Sequence, residues 1–291
     1  MPLAAMLRSL IDNFPKDRRL EIHIFQSGIQ PDQRRRICEG WPDFCSAQWV
    51  DVDGAEFASL PLWGRMPVST YFKLGMADLL PERAGKAIWL DCDMIVLDDI
   101  ASLWDMDLDD APLGAVQDTV VPFVSSPCGI ERYRELGIDS SAEYFNAGLM
   151  LVDVGAWRRE PVRQKAAAYL RQYHREVTFW DQEALNAVFA GRWKSIDTRW
   201  NHNASDPRIN PPASPAIVHF AGGLKPWSYR TRNALRSLYF DYLDRTSFAG
   251  WRPEPSVTGA AVELYEESGL RALMYPAENL GMRIVRNLSR R

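Results

Sequence analysis

The fold of this chain is decided by one stretch, Ala87-Ile88-Trp89-Leu90-Asp91-Cys92-Asp93-Met94-Ile95-Val96-Leu97. Apolar runs of this kind, rich in Ile, Leu, Val and Trp, predict buried strands. Because Asp is unfavourable inside a strand, we expect Asp91 and Asp93 where the strand ends. Side chains at i and i+2 of an extended segment point the same way. Two converging carboxylates suit Mg²⁺ or Mn²⁺, especially when a substrate phosphate completes the coordination.

The bare Asp-x-Asp pattern is a weak signal, because a solvated turn produces it equally well. The 91/93 pair differs from the others in lying between two apolar segments, although the turn interpretation stays open on local pattern alone. The same spacing also occurs at Asp51/Asp53, Asp105/Asp107 and Asp107/Asp109.

The composition is that of a soluble globular protein. The chain has 291 residues, of which 46% are hydrophobic and 25% charged, and its formal net charge is −4. This length allows one large α/β domain or two small ones, with a sizeable core in either case. Since there is no overall basic bias, nucleic acid is not an expected partner.

The cysteines and the first residues predict a cytoplasmic location. Cys38, Cys45, Cys92 and Cys128 form no C-x-x-C pair and match no zinc spacing, as is typical of reduced thiols. Residues 1–10 lack the long apolar core of a signal peptide. No apolar run approaches the roughly 18 residues that a membrane-spanning helix needs.

Predicted helices and strands alternate along the first third of the chain, which indicates an α/β fold with a largely parallel sheet. Ligands of such sheets bind at the carboxyl ends of the strands, where the central strand would place Asp91 and Asp93. The periodicity predicts helices at 3–11, 31–39 and 68–80 and strands at 20–25, 48–52 and 87–91.

The rest of the chain adds further strands and helices with polar residues at their ends. A predicted strand at 112–117 ends at Asp118, and 119–143 are expected to form an inserted loop with a short helix. The strand at 144–152 contains Gly148, which suggests that another group approaches its backbone closely. The remaining predicted elements are helices at 156–173, from 180 and at 231–244, and a strand at 216–220.

Two segments could line a ligand site or be purely structural. Asp181 and Gln182 open a predicted helix, where Asp181 could be a plain N-cap. His219 ends a predicted strand and is followed by Gly222, Gly223 and Lys225. Histidine can bind a metal, glycines let backbone amides approach a phosphate, and lysine supplies a point charge. The same residues would also fit an ordinary turn with a capped histidine.

Together these segments resemble glycosyltransferase family 8, and the pattern is nearest to the bacterial lipopolysaccharide galactosyltransferases and glucosyltransferases. The resemblance covers about residues 1–245 and predicts one domain at 1–248, followed by a linker and a basic helical tail at 249–291. It rests on Asp91-Cys92-Asp93, Phe145-Asn146-Ala147-Gly148-Leu149-Met150-Leu151, Trp180-Asp181-Gln182-Glu183-Ala184-Leu185-Asn186 and His219-Phe220-Ala221-Gly222-Gly223-Leu224-Lys225-Pro226-Trp227.

The resemblance implies a GT-A fold, a UDP-sugar donor, bound Mn²⁺ or Mg²⁺ and retention of the anomeric configuration. The partners it implies are a UDP-hexose and a saccharide or glycolipid acceptor such as lipopolysaccharide. The residues that match the family's site are Asp91, Asp93 and His219 as metal ligands, Gly222, Gly223 and Lys225 at the diphosphate, Asn146, Asp181 and Gln182 at the donor sugar, and Asp118 at the sugar or acceptor.

Two features depart from the family pattern. The family begins with a strand near the uracil and ribose, whereas this chain starts at the following helix, so we expect a missing first strand and exposed strand edges beside it. The family's Tyr-x-Arg-Leu pattern reads Tyr71-Phe72-Lys73-Leu74 here, which puts Lys73 near the donor. Lysine keeps the charge of arginine but loses its bidentate geometry.

Two other interpretations stay open. A degenerate member of the family would bind nucleotide or sugar without transferring it. A phosphatase of the haloacid dehalogenase type also carries Asp-x-Asp at a strand end, but Ile95 occupies the position where that class has Thr or Val. The basic tail with interleaved apolar residues predicts either contact with the inner face of the cytoplasmic membrane or a helix that packs on the domain and leaves its basic end in solvent.

Overall fold

A computed structural model of the chain describes residues 1–62, 66–206, 209, 212–223, 225–229, 231 and 233–255. Its α-helices are α1 (Pro2–Asp12), α2 (Pro31–Ile37), α3 (Met76–Leu79), α4 (Ala101–Trp104), α5 (Val154–Arg159), α6 (Val162–Gln172), α7 (Trp180–Phe189) and α8 (Arg236–Leu243). Its strands are β1 (Leu20–Gln26), β2 (Cys45–Asp51), β3 (Lys86–Leu90), β4 (Met94–Val96), β5 (Leu113–Gln117), β6 (Phe145–Asp153), β7 (Lys194–Ser195), β8 (His202–Asn203) and β9 (Ile217–His219). Short 3₁₀ helices span Gly54–Phe57, Val68–Gly75 and Thr198–Asn201.

The strands form three hydrogen-bonded groups, in the spatial orders β1-β2, β3-β6-β5-β7 and β4-β9-β8. The pairs β1–β2, β5–β7 and β8–β9 are parallel, whereas β3–β6, β5–β6 and β4–β9 are antiparallel. The predicted mixed α/β class is therefore confirmed. The expectation of a largely parallel sheet is not met, because antiparallel pairs are as common as parallel ones within the described residues. Because β6 runs against β3 and β5, it begins at the edge of the sheet where those strands end.

Strand β6 separates two apolar cores, so helices cover both faces of the sheet. Met150 and Val152 point into a core shared with α5, α6 and α7, whereas Leu149 and Leu151 point into a core shared with α1. All four side chains are fully buried, as the continuous apolar run predicted. Each such burial stabilises the fold by about 1.5–3 kcal/mol.

Several predicted helices differ in detail from those observed. Residues 68–80 form a 3₁₀ helix that continues into α3, and the helix predicted from residue 231 begins at Arg236. The single helix predicted at 156–173 is divided into α5 and α6 at Glu160 and Pro161, since a residue before proline disfavours helical backbone. The fully described segment 119–143 contains turns and a bridge between Phe123 and Glu143, but not the predicted short helix.

A cavity of about 1700 Å³ extends between β1 and β3. Arg83 pairs with Glu21 at 2.5 Å near the start of both strands, and the rings of Phe25 and Trp89 lie 5.7 Å apart near their ends. The two strands therefore run in the same direction. Within the described residues, β1 forms hydrogen bonds with β2, and β3 forms them with β6. No hydrogen bonds join β1 to β3 in these residues. The edges that we expected to lack a partner are thus those of β1 and β3.

The end of the chain is described only in part. Residues 251–255 have no regular structure, and the predicted helical tail at 256–291 lies outside the described residues. In the described ranges, no helix combines the length and the apolar character that crossing a membrane requires.

Candidate functional site

One cavity contains every site residue that the sequence predicted. It is the cavity between β1 and β3, which continues past the carboxyl end of β3 into a polar region. The predicted residues that line it are Lys73, Asp91, Asp93, Asp118, Asn146, Asp181, Gln182, His219, Gly222, Gly223 and Lys225.

The fold brings these residues together at one edge of the sheets. Asp91 follows the last residue of β3, Asp118 follows β5, and His219 is the last residue of β9. Asn146 lies at the start of β6, which is antiparallel to its neighbours and so begins at that same edge. Asp93 lies in the turn between β3 and β4, so the turn, rather than the alternation of an extended strand, directs it toward Asp91.

Asp91, Asp93 and His219 form a cluster that fits a divalent metal ion. One ligand atom from each of these residues can be chosen so that all lie within 4.8 Å of one another. Asp93 Oδ1 is buried and accepts no hydrogen bond in the described part of the chain, and His219 Nε2 lies 3.4 Å from it. Carboxylate oxygens with an imidazole nitrogen form a donor set that Mn²⁺ or Mg²⁺ accepts.

Lys225 completes this end of the site. Its Nζ donates to Asp93 Oδ2 and, at 2.8 Å, to the carbonyl of Phe220. Burial alone would raise the pKa of Asp93, but the charge of Lys225 holds it well below its usual range. Asp91 differs, because burial and the neighbouring carboxylates of Asp93 and Asp181 raise its pKa despite the opposing charge of Lys73.

Lys73 is a buried ammonium group whose donors are all used inside the protein. Its Nζ lies 2.8 Å from Asp181 Oδ2, 3.1 Å from Asp91 Oδ1 and 3.1 Å from the carbonyl of Ala147. Burial alone would lower the pKa of Lys73, but the charges of Asp181 and Asp91 outweigh it and raise the pKa above its usual value. The group therefore stays charged. Lys73 therefore joins a carboxylate of the metal cluster to Asp181. We call Asp91, Asp93, Lys73, Lys225 and His219 the charged cluster.

The start of α7 is not capped by Asp181. Asp181 Oδ1 accepts a hydrogen bond from Thr70 Oγ1 at 2.6 Å, and its other oxygen faces Lys73. Glu183 Oε2 instead accepts from the backbone N–H groups of Thr178 and Phe179, at 2.6 and 3.3 Å. The N-cap alternative for Asp181 is therefore wrong, and Asp181 is held in the cavity by tertiary contacts.

Gln182, Asp118, Asn146 and Asn201 form a continuous hydrogen-bonded series that we call the amide chain. Asp118 Oδ2 accepts from Gln182 Nε2 at 3.1 Å and from Asn146 Nδ2 at 2.9 Å. Asn146 Oδ1 accepts from Asn201 Nδ2 at 2.9 Å. Asn201 Oδ1 lies 2.9 Å from His219 Nδ1, so the amide chain reaches the metal cluster at His219.

The close approach predicted at Gly148 is confirmed, and the approaching group is His219. A Cβ atom on Gly148 would lie 2.4 Å from His219 Cε1 and 3.0 Å from Asn146 Oδ1. The glycine therefore leaves the space in which the imidazole ring packs on the backbone of β6. Its carbonyl also accepts the N–H of Asp91 at 2.9 Å, which ties the end of β3 to this position.

Gly222 and Gly223 lie exposed on the wall of the cavity beside Lys225. Gly222 has a φ of +82°, a backbone conformation that favours glycine. Leu224, which belongs to the same motif, lies outside the described residues.

Sequence reasoning missed three residues that position the site. The first two are Asn201 and Thr70, which no sequence motif singles out. Asn186 bonds both the N–H and the carbonyl of Phe145, each at 2.8 Å, and so fixes the start of β6 next to Asn146. Each contact joins residues distant in sequence, and the one usable signal was that Asn186 stands in the same motif as Gln182.

Comparison with known proteins agrees with this geometry. General stress protein A of Bacillus subtilis is 28% identical over 264 residues, which is 84% of this chain and 90% of that protein. Lipopolysaccharide 1,3-galactosyltransferase of Salmonella typhimurium is 25% identical over 223 residues, which is 72% of this chain and 65% of that protein. The crystal structure of the galactosyltransferase LgtC with donor and acceptor sugar analogues superimposes with a TM-score of 0.74 and 25% identity, covering 87% of this chain and 93% of LgtC.

The fold is accordingly the GT-A fold of glycosyltransferases such as LgtC. The model of glycosyl transferase family 8 matches residues 1–231. This range is most of the chain and contains every predicted site residue. This chain therefore belongs to glycosyltransferase family 8.

Proposed function

We propose that this protein is a retaining, metal-dependent glycosyltransferase that moves galactose or glucose from a UDP-sugar to a saccharide acceptor. The observation that carries the proposal is the cluster of Asp91, Asp93 and His219, which shares one cavity with Lys225 and Gln182. Membership of the family already supports a nucleotide-sugar donor and a saccharide acceptor. The identity of the sugar, the metal and the stereochemical course belong to the proposal.

The charges of the cavity support a nucleotide diphosphate held through a metal. Around the metal cluster, the carboxylates of Asp91, Asp93, Asp118 and Asp181 outnumber the ammonium groups of Lys73 and Lys225, so a bare diphosphate would meet net negative charge there. A divalent ion held by Asp91, Asp93 and His219 would offset this excess and stabilise charge on the leaving diphosphate. Lys225, which now bonds Asp93, is placed to turn toward a phosphate oxygen beside Gly222 and Gly223.

The residues beside the metal cluster suit a sugar ring. Asn146, Asp181 and Gln182 bring two amides and one carboxylate to the lining of the same cavity. An amide is a poor nucleophile, so a covalent intermediate on Gln182 is disfavoured. We therefore propose attack by the acceptor hydroxyl on the face that the diphosphate leaves, with Gln182 and Asp181 stabilising positive charge on the ring.

The acceptor we propose is a saccharide of a bacterial cell envelope, such as lipopolysaccharide. The support comes from relatives, because one of them is a lipopolysaccharide 1,3-galactosyltransferase and the structural neighbour LgtC is a galactosyltransferase bound to donor and acceptor sugar analogues. Galactose and glucose are therefore the donor sugars to test first.

The direct test measures UDP release from a panel of UDP-sugars, with Mn²⁺ and with EDTA. We expect metal-dependent release from UDP-galactose or UDP-glucose, detectable as slow hydrolysis even without an acceptor. UDP binding without release from any sugar would instead support a degenerate binding protein. Release that EDTA leaves unchanged would contradict the metal-dependent mechanism.

A further inference from the structure

The side chain of Asn201 lies between His219 of the metal cluster and Asn146 of the proposed sugar site. It ends the 3₁₀ helix Thr198–Asn201 and is 5% exposed. Its Nδ2 lies 2.9 Å from Asn146 Oδ1, and its Oδ1 lies 2.9 Å from His219 Nδ1. Asn201 therefore connects a proposed metal ligand with a residue of the proposed sugar site.

The direction of this series of hydrogen bonds can be derived from groups whose roles are not in doubt. Amide and imidazole groups can be turned over, so their donor and acceptor atoms must be inferred from their partners. Two partners here are unambiguous. The Asp118 carboxylate accepts from the backbone N–H groups of Val120 and Val121, each at 2.8 Å, and an ionised carboxylate cannot donate. The backbone N–H of Gly148 can only donate.

These two groups fix every orientation between them and His219. Asn146 must turn its NH₂ group to Asp118 Oδ2, at 2.9 Å, and its oxygen to the N–H of Gly148, at 3.0 Å. Asn201 meets that same oxygen and must therefore present its own NH₂ group. This leaves the Asn201 oxygen facing His219 Nδ1. Since that oxygen can only accept, Nδ1 must carry a proton.

We propose that Asn201 is a positioning residue that keeps the proton of His219 on Nδ1, so that Nε2 is the nitrogen offered to a metal ion. Nε2 is also the nitrogen that faces Asp93, at 3.4 Å from Oδ1. In metal sites, a hydrogen bond to one ring nitrogen of histidine generally determines which nitrogen binds the metal. The part of this inference that concerns metal binding rests on the proposed function, whereas the position of the proton does not.

The same carboxylate also sets the orientation of Gln182. Gln182 donates from Nε2 to Asp118 Oδ2 at 3.1 Å and accepts from the N–H of Ala147 at 3.1 Å. Asp118 therefore orients the proposed metal ligand, through Asn146 and Asn201, and the proposed sugar-binding amide directly. The inference gives Asp118 a positioning role in place of the sugar or acceptor contact that its match to the family implied.

The proton can be located without metal or activity. Long-range ¹H–¹⁵N NMR spectra of the metal-free full chain, recorded at a pH where the ring is neutral, distinguish the two tautomers, and the His219→Gln variant identifies the signal. We expect protonated Nδ1 in the parent chain, loss of this preference in Asn201→Leu, and retention in Asn203→Leu. Asn203 is a matched control because its buried amide bonds Thr119 and Ser205 instead. Protonated Nε2 in the parent, or an unchanged tautomer in Asn201→Leu, would overturn the inference.

Metal affinity provides the second measurement, by electron paramagnetic resonance of free Mn²⁺ during titration with UDP present. We expect Asn201→Leu to bind Mn²⁺ about 10–100-fold more weakly, as is typical when a partner of a histidine ligand is lost. Asn201→Asp should bind more tightly than Asn201→Leu, because an oxygen still faces Nδ1. Equal affinities of Asn201→Leu and the parent would overturn the inference.

Failures of the inference and of the proposed function are distinguishable. If the parent chain binds no Mn²⁺ although Nδ1 carries the proton, the proposed metal dependence is wrong, while the assignment of the proton is confirmed. If Mn²⁺ binds although Nε2 carries the proton before binding, the metal dependence stands and the role of Asn201 is wrong. If Asn201→Leu does not fold, the tautomer in the parent chain and in Asn201→Asp still decides.

Discussion

The charged cluster and the amide chain meet at His219 but are built on opposite principles. In the charged cluster, Asp93 Oδ1 is buried without a hydrogen bond in the described structure, and Lys225 occupies the other oxygen. In the amide chain, Asp118 accepts bonds on both oxygens and Asn146 uses both ends of its amide. The amide chain is therefore complete without a ligand, whereas the charged cluster becomes complete when a cation is added.

This difference separates two contributions to the site. The charged cluster supplies free energy for binding a cation, and the amide chain fixes the orientation of the polar side chains. A buried carboxylate oxygen without a partner is costly, so a cation that supplies the partner binds favourably. A complete hydrogen-bond network holds its members in one orientation before the ligand arrives, which reduces the entropy lost on binding. Changes of the carboxylates in the charged cluster should thus weaken metal binding and turnover directly, and changes in the amide chain should act through the orientation of the groups that it holds, His219 among them.

The largest expected effect is that of Asp93→Asn. Loss of a carboxylate ligand should lower UDP-sugar turnover by about 10³-fold, or about 4 kcal/mol, because the metal supplies several kcal/mol of charge stabilisation. Turnover is measured as UDP release at saturating donor. The matched control is Asp109→Asn in an exposed Asp-x-Asp pair, which should keep full turnover. Equal turnover of Asp93→Asn and the parent would remove the metal cluster from the mechanism.

Next in size is the effect of Lys73→Met on stability. Lys73 is 4% exposed, and its loss would leave Asp91 and Asp181 without their shared cation, at a cost of about 3 kcal/mol in the free energy of unfolding. Urea denaturation of the metal-free protein measures this. Lys73→Arg keeps the charge and should cost less. The control Lys194→Met, which breaks the more exposed pair with Asp109, should cost under about 1 kcal/mol. Equal costs for both methionine variants would show that the buried pairs have no special weight.

A third prediction concerns the addition of metal. At 100 times its dissociation constant, Mn²⁺ should raise the free energy of unfolding of the parent chain by about 2.7 kcal/mol, because it binds the folded state. Thermal or urea denaturation with and without EDTA measures the change. Asp93→Asn should lose this gain and Asp109→Asn should keep it. A gain that survives in Asp93→Asn would place the metal outside the charged cluster.

The smallest expected effect is that of Asp118→Asn in the amide chain. One end of the new amide must donate, so it would face the NH₂ groups of Asn146 and Gln182 or the backbone N–H groups of Val120 and Val121. Such a buried mismatch should cost about 2 kcal/mol in the free energy of unfolding. The exposed control Asp43→Asn should stay within about 0.5 kcal/mol of the parent. If Asp118→Asn left the free energy of unfolding unchanged, the amide chain would not be rigid.

The sequence was sufficient for the fold class, and the resemblance to the family singled out residues that share one cavity. Apolar runs predicted β3, β5, β6 and β9, and the α/β rule placed Asp91 and Asp93 at the carboxyl end of the central strand. Gly148 carried a signal of its own, since a glycine inside an apolar strand predicted the close approach that His219 makes. These inferences succeeded because they depend on local periodicity and on general rules of sheet geometry.

The partners of the polar side chains were decided by tertiary structure. Lys73 lies 108 positions before Asp181 in the sequence, and Asn201 contacts both Asn146 and His219 from the separate 3₁₀ helix Thr198–Asn201. A short polar side chain has no periodic signature, so its sequence neighbours do not reveal which distant group it will meet. The sequence alone thus predicted which residues face the cavity. The tertiary structure decided which of their atoms donate and which accept, because the direction of a hydrogen bond depends on which distant group packing brings next to each side chain.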